Sequence, residues 1–298
     1  MTKKVAFRIG LGLAAVCVLA VGVGGIFWWR AQRRAAAVAE RQALFASFGI
    51  DSDGTEDFVP LPRIMPHKLP AAVLGRTLFL DRRLAQGQSI KRTCAACHWP
   101  NAGGTDGKCH AGTLTRPFPN AAFGSVFLQD GSLTNLSDVV VRMVESPDFC
   151  GGGPVSNVVA KLNEDKRLVE RFQFAYDGEG LTAATLADAV VNYARSQVSE
   201  PTAFDAFTGG RDDAFDAQQK KGMTLFQRNC LACHDGPTLG GRRVSEGRKV
   251  PALRGLSMRK VYLSDGSQTD LTAVLSRMPV GEQEAADRAA LVAFLKTL

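Results

Sequence analysis

Hydrophobic and polar positions fall into three regimes along this chain. From Ile9 to Trp29 no residue is charged, a run long enough to cross the roughly 30 Å hydrocarbon core of a bilayer as a helix. Trp28 and Trp29 close it, where amphipathic rings favour the membrane–water interface. Ala31 to about Ala46 reads as a short charged helical extension. From Asp51 to Pro70 the pattern breaks: Pro60, Pro62, Pro66 and Pro70 exclude regular structure and mark a linker or extended arm. Beyond it, apolar positions recur at i, i+3 and i+4. Leu136, Val139, Val140, Met143 and Val144 share one face after Asp130-Gly131. The spans 158–176 and 181–198 repeat that spacing, separated by Asp177-Gly178 and stopped at Pro201. The closing span 282–298 sets Ala286, Ala289, Ala290, Ala293, Phe294 and Leu298 in one stripe. No segment alternates over the length of a strand, so the fold expected is mostly α.

A weak internal repeat sharpens this. Gly75-Arg-Thr-Leu-Phe79 leads to Cys94-Ala-Ala-Cys97-His98, with Gly103-Gly104 beyond. Gly222-Met-Thr-Leu-Phe226 leads to Cys230-Leu-Ala-Cys233-His234, with Gly240-Gly241 beyond. Cys-x-x-Cys-His is the attachment signature of c-type haem. The two thiols add to the haem vinyl groups and the adjacent His binds iron, whereas a zinc site or a redox dithiol uses Cys-x-x-Cys with no need of that His. Two covalently attached haem c groups are therefore expected, at Cys94, Cys97, His98 and at Cys230, Cys233, His234. The architecture that follows is two cytochrome c-like domains behind a transmembrane helix. Its parts are an anchor at 1–30, a linker and extended arm at 31–70, and haem domains at 71–205 and 206–298.

Candidate ligands on the other side of each iron are few. The chain has four His; with His98 and His234 committed, His67 and His110 remain. His110 follows His98 by 12 residues in a Gly-rich loop, near enough to fold back over the first haem; a solvated loop residue is the alternative. His67 lies in the Pro-rich arm, where a surface position is the simpler reading. Met278, before Pro279, is either core filler or a thioether ligand, which raises a haem's potential. Cys17 falls in the apolar run. Cys109 and Cys150 are expected to pair in an oxidising compartment, with Cys109 as a thiolate ligand the lesser alternative.

Charge changes the picture only at the N-terminus. The formal net charge is +7, but Lys3, Lys4, Arg8, Arg30, Arg33, Arg34 and Arg41 against Glu40 leave about one positive charge for everything after residue 41. Cations flanking an apolar run meet anionic headgroups, so a nucleic-acid partner is excluded. They flank both ends and leave orientation open; covalent haem attachment outside the bacterial cytoplasm decides it, placing the haem domains in the periplasm and the anchor in the inner membrane. A cleaved signal peptide is the alternative, against which stand the length of the run and the lack of a small-x-small site before Trp28.

From about Pro60 to Leu298 the chain resembles the bacterial di-haem cytochrome c peroxidases and their MauG-type relatives. The likeness rests on Leu74-Gly-Arg-Thr-Leu-Phe-Leu-Asp-Arg-Arg-Leu84, Gly103-Gly-Thr-Asp106, Asn120-Ala-Ala-Phe123 and Asp130-Gly131. It continues in Val250-Pro-Ala-Leu-Arg-Gly255, Asp265-Gly-Ser267 and Leu291-Val-Ala-Phe-Leu-Lys-Thr-Leu298. The resemblance implies a high-potential C-terminal haem with a Met ligand 13 residues after Asp265, which is Met278, and a peroxide-binding N-terminal haem with a departing distal His, here His110. It implies an enzyme that reduces hydrogen peroxide with electrons from a small periplasmic cytochrome c or cupredoxin, with self-association into a homodimer as a further expectation. Several positions depart from the family. The Trp usual between the haems is Gln129, and the Gln and Glu of the peroxide pocket fall by counting on Val139 and Phe149, with Glu145 or Asp148 as neighbours. The His before Asp265 is Ser264, and an inter-domain calcium site lacks its usual Asn and Pro at Leu114 and Val261. These departures leave the peroxide-handling residues unassigned. They keep two rivals open: a non-catalytic di-haem electron carrier, and a MauG-type oxidase that modifies a partner protein.

Overall fold

The computed structural model describes residues 58, 60–63, 65–86, 92–99, 103–278 and 284–298. The expected anchor Ile9–Trp29 and its extension to Ala46 lie outside the described residues; among those described, no helix is long and apolar enough to cross a membrane. The structure is mostly helical, as the periodicity predicts.

In the first half, helix α1 spans Leu69–Phe79 and carries Pro70 in its first turn, where a missing N–H costs no intrahelical bond. Pro70 therefore opens a helix rather than closing the arm. Cys94–Cys97 forms the one-turn helix α2. Helix α3 (Leu136–Glu145) starts at Asn135, whose side chain accepts from the Ser137 N–H. The span 158–176, one pattern in sequence, is two helices: α4 (Val155–Asn163) and α5 (Lys166–Ala175). Asp165 divides them, because its carboxylate caps the Leu168 N–H and so begins a new helix. Helix α6 (Ala183–Ser196) opens on a reciprocal Thr182–Thr185 capping box.

In the second half, α7 (Ala203–Thr208) is followed by α8 (Ala217–Asn229), which opens on an Asp216–Gln219 box, then α9 (Leu271–Leu275) and α10 (Ala285–Leu295). Two short hairpins escape the sequence pattern. β1 (Cys109–His110) pairs with β2 (Thr113–Leu114), and β3 (Val244–Ser245) with β4 (Arg248–Lys249). Each turns on two residues of positive φ, Ala111-Gly112 and Glu246-Gly247, the backbone that a two-residue hairpin requires.

The halves repeat one packing unit. α1 crosses α6 so closely that a Cβ at Gly75 would overlap the carbonyl oxygen of Ala189 and lie 2.8 Å from the Tyr193 Cβ. α8 crosses α10 in the same way: a Cβ at Gly222 would overlap the Ala290 carbonyl and lie 2.8 Å from the Phe294 Cβ. One turn further along each first helix, Phe79 meets Tyr193 and Phe226 meets Phe294, with ring centroids 5.2 Å apart in both cases. Each crossing centres its own core, one around Leu78, Leu162, Phe172 and Leu186, the other around Phe204, Phe226, Leu291 and Phe294. The Pro-rich arm straps the two together. Phe58 is buried in the second core, the Leu61 N–H donates to Asp205, and the Lys68 N–H donates to Asn192 on α6.

Candidate functional site

The repeated helix crossing explains where the Cys-x-x-Cys-His motifs sit. Phe79 ends α1 against the ring of His98, centroid to centroid 6.3 Å, and Phe226 stands 6.3 Å from the ring of His234. The Gly of each Gly-x-Thr-Leu-Phe element thus permits the crossing, and its Phe buttresses the histidine. Locally each motif is a single turn: the His98 N–H donates to the Cys94 carbonyl at 2.9 Å, and the His234 N–H to that of Cys230 at 2.8 Å. Each ring is then fixed through Nδ1, which faces the Gly104 carbonyl at 3.3 Å in one case and the Leu239 carbonyl at 3.2 Å in the other. A ring anchored at Nδ1 presents Nε2 on its opposite side, the arrangement usual for a metal-bound imidazole.

Electrostatics favour the same role. Burial pushes both His98 and His234 below the ordinary imidazole value, so each is neutral and able to donate a lone pair. Burial pushes the Cys94 thiol up to about 12 and the Cys230 thiol up to about 11. In both motifs, then, two thiols one turn apart stand beside a neutral, oriented imidazole, which fits covalent haem attachment. His98 and His234 would hold iron, Cys94 with Cys97 and Cys230 with Cys233 the macrocycle edges, and the haem would supply electron storage and peroxide reduction.

The loop after the first motif folds back over it. Gly104, at φ 71°, lies where any Cβ would overlap Pro119, so the chain turns tightly there. Beyond it, ligand-capable atoms of Cys97, Asp106 and His110 gather within 4.8 Å of one another. His110 donates through Nε2 to Asp106 at 2.7 Å, and its Nδ1 faces the Arg92 guanidinium at 3.1 Å. Burial opposes ionisation of Asp106, yet the bonds from His110 and the Lys108 N–H outweigh it and hold the carboxyl below the usual range. The loop thus brings His110 to the first motif with both ring nitrogens engaged.

Other sequence candidates lie elsewhere. His67, in the arm, is bonded through Nδ1 to the Met65 carbonyl at 2.8 Å. Met278 is partly buried and closes the turn after α9, its N–H on the Leu275 carbonyl at 3.1 Å. Glu145 is exposed and accepts the Val155 N–H at 2.9 Å, which caps α4; Asp148 is exposed. The expected Cys109–Cys150 disulfide is not formed: both thiols are free. Cys109 is exposed on β1 and donates to the Asp265 carbonyl at 3.1 Å. Cys150 is buried, and burial pushes its thiol up to about 11. The two cysteines belong to different surroundings, which spacing alone did not show.

At the seam between the halves, the position expected to help hold calcium offers no side-chain oxygen. Leu114 is buried there, its N–H on the Ser264 carbonyl at 2.8 Å. The structure brings the cations Arg116, Lys249 and Arg259 to this region. Sequence reasoning missed these three; Arg116 lies in the other half of the chain from Lys249 and Arg259, and no motif links them.

Comparison with known proteins agrees with this geometry. A family model described as di-haem cytochrome c peroxidase matches residues 70–213. The chain is 32% identical over 199 residues to cytochrome c peroxidase Ccp of Escherichia coli strain K12, covering 63% of this chain and 42% of that protein. It is 29% identical over 289 residues to methylamine utilization protein MauG of Methylorubrum extorquens, covering 80% of this chain and 81% of that one. It therefore spans less than half of the first relative's length. In fold it is similar to the crystal structure of a MauG-like protein associated with microbial copper homeostasis, with a TM-score of 0.66 at 19% identity over 81% of this chain and 93% of that one.

Proposed function

The chain belongs to the di-haem cytochrome c peroxidase and MauG family, and from that premise we propose that it reduces hydrogen peroxide with electrons from a small redox protein. The observation that carries this reading is the duplicated unit: two Cys-x-x-Cys-His turns, each with a neutral imidazole anchored at Nδ1 and buttressed by the Phe of one helix crossing. Two such units in one chain separate electron entry from substrate reduction. The donor is a cytochrome c or cupredoxin. The domains stand in the periplasm, held to the inner membrane by Ile9–Trp29, and the protein self-associates as a homodimer.

The roles divide between the halves. Cys230, Cys233 and His234 hold the electron-entry haem, with Met278 as the second iron ligand. Cys94, Cys97 and His98 hold the haem that meets peroxide. His110 serves that first site: it holds a proton on Nε2 against Asp106, and ligation of iron through that nitrogen requires the bond to Asp106 to break. Glu145, committed to capping α4, is a weak candidate for acid–base work, so Asp106 with His110 is the better pair.

One observation favours an electron carrier as the second reading: the positions matched to the peroxide-pocket Gln and Glu are Val139 and Phe149, both apolar. The test uses full-length protein in detergent, reduced at one haem and mixed with hydrogen peroxide, following the Soret band and oxidation of a reduced donor cytochrome. Repeated turnover is expected. A lasting spectral change without turnover moves the protein to the MauG-type reading, and two unreactive low-spin haems leave a carrier.

A further inference from the structure

Where the halves touch, Arg116 is near enough to two cations of the second half, Lys249 and Arg259, to repel both. Arg116, just beyond β2 in the first half, donates from Nη2 to Oε1 of Gln129 at 2.7 Å. Lys249, on β4 in the second half, gives its backbone N–H to the Gln129 carbonyl at 2.8 Å. Its Nζ stands 5.2 Å from the centre of the Phe127 ring. Arg259 donates from Nη2 to the carbonyls of Ala252 and Arg254 at 2.9 and 3.1 Å, while its Nε is buried with no hydrogen-bond partner.

The charges are felt. Burial, then repulsion from Arg116, push Lys249 down to about 8 and Arg259 down to about 10; burial lowers Arg116 as well. Among the described residues no Asp or Glu contributes to any of these shifts, and the one favourable partner is the Tyr262 phenol beside Arg259. Arg254 provides the contrast. Its side chain is 1% exposed, and this cation, which serves the architecture, is paired with the Asp205 carboxylate. A desolvated cation without an opposite charge is costly, so a cluster of three calls for an anion.

The backbone identifies which anion. The carbonyl of Arg116 itself is in hydrogen-bonding reach of the His98 ring, and that of Pro251, two residues beyond Lys249, is in reach of the His234 ring. Arg259 bonds the carbonyl of Ala252, the next residue. The cluster is thus built onto the segments that orient both histidines, one cation from the first half and two from the second. A haem carries its own pair of carboxylates and would deliver them within reach of the iron ligand. We propose that Arg116, Lys249 and Arg259 form a shared carboxylate receptor between the two haems, positioning the macrocycles and joining the halves. This rests on the two-haem reading above.

The test uses the haem-loaded full-length protein and its Arg116→Leu, Lys249→Met and Arg259→Leu variants, with haem content from alkaline pyridine spectra and midpoint potentials from optical redox titration. Loss of a nearby cation favours the more positive, oxidised iron. At least one haem in each variant is expected to shift its one-electron equilibrium about tenfold toward the oxidised form, a fall of about 59 mV, with two haems retained. Lys249→Arg, which keeps the charge, restores the potential. Unchanged potentials in all three variants overturn the proposal and leave the two-haem reading standing, as does an equal fall in Lys249→Arg and Lys249→Met. A saturable shift on adding phosphate to the unmutated protein also overturns it, because the cluster is then open to free anions. Fewer than two haems in the unmutated protein overturn the reading beneath it instead.

Discussion

His98 and His234 occupy the same place on the same helix crossing, yet their surroundings differ in kind. Beside the first motif lie polar groups as well as rings: Asp106 is bonded to His110 and Arg92 faces the same imidazole, while Phe79 and Phe118 pack against His98. Behind the second, Phe226 packs on Phe58 and Phe294, with Phe204 and Phe215 against Phe294. The charged pair near this motif, Asp235 with Arg243, reaches the surface. Both histidines thus have a wall of rings, and the first has an imidazole–carboxylate pair beside it as well. Rings exclude water from the side of the imidazole that they cover. An imidazole–carboxylate pair holds a proton at a defined atom, which suits a step that must move one.

The comparison breaks most directly at the glycines. Gly75→Val and Gly222→Val drive a branched side chain into the backbone of the partner helix. The expected cost exceeds the about 1–3 kcal/mol typical of overpacking, because a carbonyl cannot step aside. Each variant should lose the haem of its own half and keep the other, read from haem content and redox titration. Loss of both haems from either change would show that the halves do not fold independently.

A smaller effect sharpens the difference between the two surroundings. Asp106→Asn removes a charge-assisted hydrogen bond to His110, worth about 1.5–3 kcal/mol. Asp235→Asn removes a surface pair worth about 0–1 kcal/mol. The sign for Asp106 follows from its depressed pKa: its contribution is complete above the unfolded carboxyl value of about 3.9 and is lost as pH falls through the folded value. Urea unfolding should therefore separate Asp106→Asn from the unmutated protein at pH 7, and the gap should close in strong acid. The smallest effect tests the frame itself. Thr182→Ala on α6 and Asp216→Ala on α8 each remove a capping box and should each lower stability by about 1 kcal/mol in the same urea assay, without altering haem content.

Local chemistry was legible in the chain because it is carried by neighbours. Cys94, Cys97 and His98 lie within one turn, and so do Cys230, Cys233 and His234; the repeated Gly-x-Thr-Leu-Phe announced two related units. Helix α6 and its end before Pro201 followed from periodicity and a stop signal. The division between α4 and α5 did not, since Asp165 reads as one more polar position in an amphipathic span until its carboxylate is seen to cap Leu168. The hairpins were missed for the opposite reason: two residues per strand are too few to show alternation.

What the sequence determined by itself is the set of attachment motifs, the helical class and the duplication, since each depends on residues a few positions apart. The tertiary structure decided what surrounds them. It placed Phe58 in the core of the distant half, turned Cys109 toward Asp265, buried Cys150, and closed His110 onto Asp106. It also brought Arg116 of the first half near Lys249 and Arg259 of the second. The physical reason is range. Capping, turn geometry and thiol spacing act within a turn of backbone, whereas desolvation and Coulomb repulsion depend on which segments the packed cores bring together.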